Sequence, residues 1–162
     1  MRFTALTLSA ALLGFIQVSQ AIDQVGIDNA LKSHNEKRAK HGAPALKWNA
    51  TLENFAQDWS DKCDFKHSGG PSGENLAMGH PNFPAAVQAW YDEEKKYDYN
   101  KPGFTPETGH FTAMVWKATT DLGCGVTDCK DKGRLYTCEY WPTGNVDTPD
   151  KGLFKENVVP PQ

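Results

Sequence analysis

LGCGVTDCKDKGRLYTCEYW, residues 122–141, reads as two β-strands, Leu122 to Thr127 and Arg134 to Trp141, turned back on each other through Lys130-Asp131-Lys132-Gly133. Everything upstream has a helical period instead. Residues from about Gln24 to His41 set Leu31, His34, Asn35 and Arg38 on one face, a polar stripe whose groups need hydrogen-bond partners if that face turns inward. After Gly42 and Pro44, a second helix beginning near Asn49 aligns Leu52, Phe55, Ala56, Trp59 and Cys63 as a core stripe. The glycine-rich HSGGPSGEN, His67 to Asn75, is a loop or strand entry. A third helix starts around Pro84 and places Ala86, Trp90, Glu93 and Tyr97 on a shared face. YDYNKPGF, Tyr97 to Phe104, is a loop, and a fourth helix follows with Thr105 as cap and Pro106 in its first turn. That helix carries His110, Phe111, Met114 and Val115 and ends near Thr120, while the closing VVPPQ is irregular. Helices preceding a late hairpin make an α+β domain with its helices packed on an antiparallel sheet.

The chain has 162 residues, 17 Lys+Arg against 20 Asp+Glu, and a mean hydropathy of -0.60. One domain with a proper core fits that length. A pI of 5.9 leaves no basic excess for phosphate neutralisation, which argues against nucleic acid and against anionic membrane surfaces as electrostatic partners. Residues 1–21 read as a secretory signal peptide: Arg2, an apolar run from Phe3 to Val18, and a Ser19-Gln20-Ala21 cleavage site. Residues 22–162 are then the single exported domain. Its charge is 16 basic minus 20 acidic, or -4, once Arg2 is removed. In an oxidising compartment Cys63, Cys124, Cys129 and Cys138 predict two disulfides with three conceivable pairings. Spacing favours Cys129 with Cys138 across the turn, worth about 2–3 kcal/mol, and leaves Cys63 with Cys124, worth about 4 kcal/mol. Structural zinc is the weaker reading, because no Cys-x-x-Cys pair is present.

Nucleophilic catalysis has little support. Gly70-Pro71-Ser72-Gly73-Glu74 puts Glu74 where a nucleophile elbow needs glycine, and the same loop lacks the Lys-Ser/Thr ending of a phosphate cradle. The remaining ionisable set is His67, Glu74, Glu93 and His110. Two imidazoles with two carboxylates can ligate a divalent cation or act as acid and base, although their spacing matches no metal motif and each also has an ordinary reading as a hydrogen-bonded or solvated side chain. Asn49-Ala50-Thr51 is a glycosylation acceptor in an exported chain.

LKSHNEKRAKHGAPALKW, HSGGPSGENLA, AVQAWYDEEKKYDY, GHFTAMVWKAT, LGCGV and CEYWPTGN occur in that order over nearly the whole exported chain. Together they resemble the CAP superfamily of cysteine-rich secretory proteins, antigen 5 and plant pathogenesis-related proteins. YDYNKPGF before GHFTAMVW, with four cysteines and Thr108 where plant members carry another, resembles the fungal secreted branch, the "pathogen-related in yeast" proteins. The resemblance implies a three-layer α-β-α sandwich, and it implies that His67, Glu74, Glu93 and His110 converge as the family tetrad. The histidines would be ligands for Zn²⁺ or Mg²⁺, with no organic cofactor. The family pairing it suggests for the cysteines is again Cys63–Cys124 and Cys129–Cys138.

For function, the resemblance implies a secreted, extracellular protein that binds and exports sterols, including acetylated sterols, with fatty acids held in a groove between helices. Tyr97, Tyr99 and Phe104 match a caveolin-binding-like aromatic pattern, and three aromatics on a Pro/Gly loop could wall a flat sterol. The expected seat is this loop rather than the tetrad cleft. Lipid carriage without catalysis is favoured over a metal-dependent secreted hydrolase. A third reading is a host-interaction or immune-signalling protein, with a host protein or membrane lipid as partner. It rests on CEYWPTGN, which resembles the plant-family site that precedes a released C-terminal peptide.

Overall fold

The computed structural model describes residues 22–150 and 152–162, so the leader expected at 1–21 lies outside the described residues. Among the described residues five α-helices and four strands follow in chain order: α1 Gln24–Lys40, β1 Lys47–Trp48, α2 Ala50–Ser60, β2 Gly73–Met78, α3 Phe83–Tyr91, α4 Gly109–Val115, β3 Asp121–Asp128, β4 Arg134–Trp141 and α5 Gly152–Asn157. A 3₁₀ segment, Asp92–Lys96, continues α3. The sheet runs β1-β3-β4-β2, with the β3–β4 hairpin at its centre and β2 antiparallel to β4. It is mixed rather than purely antiparallel, since the short β1 runs parallel to β3. Helix α2 covers one face against β3 and β4, and α1, α3 and α4 pack together on the other, giving the expected three layers.

The α2 face departs from the expected stripe. Its buried residues are Ala56, Gln57 and Ser60, whereas Phe55 is 38 % exposed. The reason lies in β3. A Cβ on Gly123 would fall on the backbone nitrogen of Glu53, and one on Gly125 on the Cα of Gln57, so α2 rests directly on strand backbone and only small side chains fit between. Beyond its two-residue pairing with β1, β3 has a bare edge. Gln57 clasps it: Val126 N–H donates to Gln57 Oε1 at 3.1 Å, and Gln57 Nε2 donates to the Val126 carbonyl at 3.1 Å. Ser60 Oγ adds a bond to Thr137 Oγ1 at 2.8 Å.

The polar stripe of α1 is fully employed. Arg38 is completely buried and donates to the carbonyls of Pro44, Met114, Trp116 and Thr119 at 2.8–3.0 Å. Burial lowers its pKa to about 10. His34 donates from Nδ1 to the Ala30 carbonyl and accepts from the Tyr140 hydroxyl at Nε2, and burial lowers it to about 4. Asn35 pairs in both directions with the backbone of Leu46. These contacts also explain why α4 is shorter than the expected run from Thr105 to Thr120. Pro106 lies in a turn closed by Thr108 N–H on the Thr105 carbonyl, and past Val115 the carbonyls of Met114 and Trp116 go to Arg38 instead of to helix amides. Likewise Glu93 and Tyr97 leave the face expected for the third helix, because the chain tightens to 3₁₀ at Asp92.

The disulfides pair differently from the expectation: Cys124 with Cys138, and Cys63 with Cys129. Register decides it. Cys124 and Cys138 are direct partners across β3–β4, so Cys138 cannot turn to Cys129, which lies beyond the last ladder pair, Asp128 with Arg134. Cys129 instead ties the hairpin tip to the turn after α2. The enclosed separations are 14 and 66 residues, worth about 3 and about 4 kcal/mol in a chain-entropy argument. The tail from Val158 is non-helical, but it is docked. Phe154 of α5 is fully buried against Trp116, the Val159 carbonyl accepts from His41 Nδ1, and Gln162 N–H donates to the Lys40 carbonyl.

Candidate functional site

Two histidine–carboxylate pairs, His67 with Glu74 and His110 with Glu93, border one cleft. Glu93, in the 3₁₀ segment, reaches the start of α4. Its Oε2 accepts the backbone N–H groups of His110 and Phe111 at 3.0 and 3.1 Å, amides that have no partner within so short a helix. Its Oε1 takes His110 Nδ1 at 2.6 Å. One carboxylate thus caps the helix and fixes the imidazole that the helix carries. Asn75 of β2 holds the same residue from behind, donating to the His110 carbonyl at 3.0 Å.

Glu74 does the equivalent for the glycine-rich loop. Its side chain is 6 % exposed, and its Oε1 accepts from His67 Nδ1 at 2.7 Å and from Ser68 N–H at 2.9 Å. Burial pushes the Glu74 carboxyl up, but hydrogen bonds with Glu139, Ser68 and His67 outweigh it and hold it below the usual carboxylate range. The His67 side chain is 66 % exposed. In both pairs Nδ1 is committed to a carboxylate, which places its proton there and leaves the Nε2 lone pair as the outward-facing donor.

Between them lies a cavity of about 300 Å³ lined by His67, Glu74, Asn75, Phe104, Pro106, Gly109, His110 and Asn145. The four residues expected together from the sequence are therefore two bonded pairs around one region, with Glu93 behind His110. Among the described residues no three His, Cys, Asp or Glu side chains close on one point. A cation here would take the two Nε2 atoms and complete its shell with water.

The three loop aromatics do not form a common wall. Tyr97 is buried in the core, edge-on to Phe111 and Tyr99, and Tyr99 is half-buried with its hydroxyl on Glu94 at 3.2 Å. Phe104 alone is open, at 50 % exposure, and it lies over Gly109 on the rim of the tetrad cleft. Loop and cleft share that wall, so they are adjoining places rather than separate ones. A second hollow of about 460 Å³ lies between the N-terminal ends of α1 and α3 and the hairpin, with Ile22, Val25, Phe83, Val126, Tyr136 and Arg134 in its lining.

Sequence reading passed over Asn145, Ser72 and Glu139. Asn145, at φ 56°, donates to the Gly109 carbonyl at 2.9 Å and lines the cleft. Glu139 is the one acidic residue in RLYTCEYW, and a carboxylate at an inward position of a central strand was the available signal. Asn49 caps α2: its Oδ1 accepts the N–H groups of Thr51 and Leu52, and its Nδ2 donates to Asp121 at 3.2 Å.

Comparison with known proteins agrees with this architecture. The profile of the cysteine-rich secretory protein family, CAP, matches residues 31–140. Secreted protein RBT4 of Candida albicans is 41 % identical over 172 residues, covering 98 % of this chain and 47 % of its own length. Protein PRY2 of Saccharomyces cerevisiae is 43 % identical over 136 residues, covering 80 % and 40 %. The chain thus spans less than half the length of these two relatives. Among solved structures, that of NaASP2 with Zn²⁺ shares the fold at a TM-score of 0.69, with 23 % identity and 88 % of each chain covered.

Proposed function

The chain belongs to the cysteine-rich secretory protein family, CAP, and from that premise we propose that it is a secreted carrier that binds and exports a sterol or sterol acetate. Phe104 carries the reading. It is a large aromatic left half open on a Pro/Gly loop, beside a cavity lined also by Pro106, Gly109 and polar side chains, and a rigid apolar ring system gains by covering it. Tyr97 and Tyr99 brace the loop from below rather than touching cargo with their full faces. Extracellular location is supported by the two disulfides, by the leader-like residues 1–21, and by the likeness to a relative named a secreted protein.

The hollow at the α1 N-terminus favours a second cargo. Its lining is mixed, with Asp23 and Asp128 beside Arg134, and it suits a fatty acid only with the chain against Val25, Phe83 and Val126 and the carboxylate on the guanidinium. Radiolabelled sterol and fatty-acid binding by wild type, Tyr99→Ala, Phe104→Ala and Val25→Asp separates the two seats, with circular dichroism as the folding control. Phe104→Ala should weaken sterol binding about tenfold or more, since an aromatic side chain contributes about 1.5–3 kcal/mol on burial. Full sterol binding by folded Tyr99→Ala and Phe104→Ala, with loss in Val25→Asp, would move the sterol to the hollow.

His67 and His110 fit a divalent cation, Zn²⁺ or Mg²⁺, because their carboxylate-backed rings present neutral Nε2 donors. His67 of the glycine-rich loop and His110 of α4 would hold such a cation. Binding should weaken in acid, because protons compete with a cation for its ligand atoms. Calorimetric titration with Zn²⁺ should show heat in wild type and none in the His67→Ala/His110→Ala double variant; equal binding by both would exclude the assignment.

A further inference from the structure

Glu74 and Glu139 are direct partners across the β2–β4 ladder, so their carboxyls leave the same face of the sheet side by side. Glu139 is wholly buried. Its Oε2 accepts the Ser72 hydroxyl at 2.5 Å, yet no N–H or O–H among the described residues reaches its buried Oε1. The neighbour that acts on the Glu139 carboxyl besides Ser72 is the Glu74 carboxyl. Among the described residues no cation acts on Glu139. Helix α2 turns the uncharged Ala56, Gln57 and Ser60 inward, Glu53 gives its carboxylate to the Trp48 indole at 2.7 Å, and His67 bonds to Glu74. Two ionised carboxylates cannot share a dry position on these terms, and a proton between them satisfies both.

We propose that Glu139 is a positioning residue for the tetrad: a neutral carboxylic acid whose Oε1–H donates to Glu74 and locks the carboxylate that orients His67. The donors then run in one sense. Ser72 O–H gives to Glu139 Oε2, Glu139 O–H gives to Glu74, and Glu74 accepts in addition from Ser68 N–H and His67 Nδ1–H. The proton belongs on Glu139 because that side is the drier one. Glu139 is wholly buried, and burial with its Glu74 neighbour raises it to about 8 against the Ser72 bond, whereas Glu74 already accepts from Ser68 N–H and His67 Nδ1. This assignment stands apart from the lipid reading and holds whatever the cargo.

Carboxyl ¹³C NMR on glutamate-labelled wild type, Glu139→Gln and Glu139→Ala tests it. Wild type should show one carboxyl still protonated at pH 6, titrating near pH 8 and absent from Glu139→Gln. The substituted amide offers Glu74 an N–H in place of the O–H, so the His67 ring resonances, which report how Glu74 holds the imidazole, should keep their wild-type positions in Glu139→Gln and shift in Glu139→Ala. A Glu139 already ionised at pH 6 overturns the proposal, as do His67 resonances that move equally in both variants. Should Glu139→Ala fail to fold, the wild-type titration and the Glu139→Gln variant decide the matter alone.

Discussion

Asn49 serves two competing chemistries at one amide. Its Oδ1 caps α2 and its Nδ2 holds Asp121, so the nitrogen that a glycan would take is already bonded in the folded chain. Attachment must precede folding, and it keeps Oδ1 available as the cap. Expression in a eukaryotic secretory host should therefore give a mixture of modified and unmodified chains, seen as two species that merge on glycosidase treatment. An intact mass unchanged by glycosidase would rule the modification out. Removing the cap with Asn49→Ala should cost about 1 kcal/mol in denaturant unfolding whether or not sugar was attached. The two acids of the tetrad show the same economy. Glu93 caps a helix while it orients His110, and Glu74 closes a loop while it orients His67, so each catalytic-looking carboxylate is also part of the fold.

At the scale of elements, the glycines of LGCGV set how closely α2 approaches the sheet. Gly123→Ala and Gly125→Ala each drive a methyl into helix backbone, which cannot rotate away, so each should cost at least about 3 kcal/mol or abolish soluble expression. Gly69→Ala is the contrast, since open space surrounds it and only its φ of 71° resists; it should cost about 1 kcal/mol. Urea unfolding of the three variants checks the order. These same glycines mark where sequence reading reached and where it stopped. The hairpin, α1, α2 and α3 were legible because period and turn chemistry are local. The buried face of α2 was not, because the positions of β3 facing it are Gly123 and Gly125, and helical period alone ranks Phe55 above Gln57 and Ser60. The cysteine pairing failed for a related reason: chain distance favoured Cys129 with Cys138, and ladder register, which chain distance does not encode, set Cys124 there instead. The tetrad became legible through ordered motifs, while Glu139 stood within CEYWPTGN without a role of its own and surfaces as a partner of Glu74 only when β2 and β4 are laid side by side.

For the whole molecule, buried titrating groups give stability an opposed response to pH. His34 holds a pKa near 4 when folded against an ordinary 6.5, so the unfolded chain binds more protons between those values and stability rises with pH there. His41, also lowered by burial, adds to the rise. Glu139 acts in reverse. Its folded value near 8 against an ordinary 4.5 means that the folded chain holds the extra proton, and its contribution is lost as pH climbs through that window. The two trends oppose each other up to about pH 6.5, and above it only the decline remains, at most about 1.4 kcal/mol per pH unit. Urea unfolding at pH 5, 6.5 and 8 should therefore show wild type losing stability between the last two, and Glu139→Gln losing none. A flat wild-type profile from pH 6.5 to 8 would contradict it.

The docked C-terminus bears on the reading in which a peptide is cut away after CEYWPTGN. Hydrolysis following Asn145 would sever one bond, but Phe154 would still sit against Trp116, Asn157 would still accept from Ala118 N–H, and the Val159 carbonyl would still hold His41. The nicked protein is then a two-chain complex, with residues 146–162 retained as a non-covalent subunit. Liberating them exposes Phe154 and strips the partner from a buried imidazole, so a diffusible signal from this fold depends on a dissociation rate more than on the protease that makes the cut.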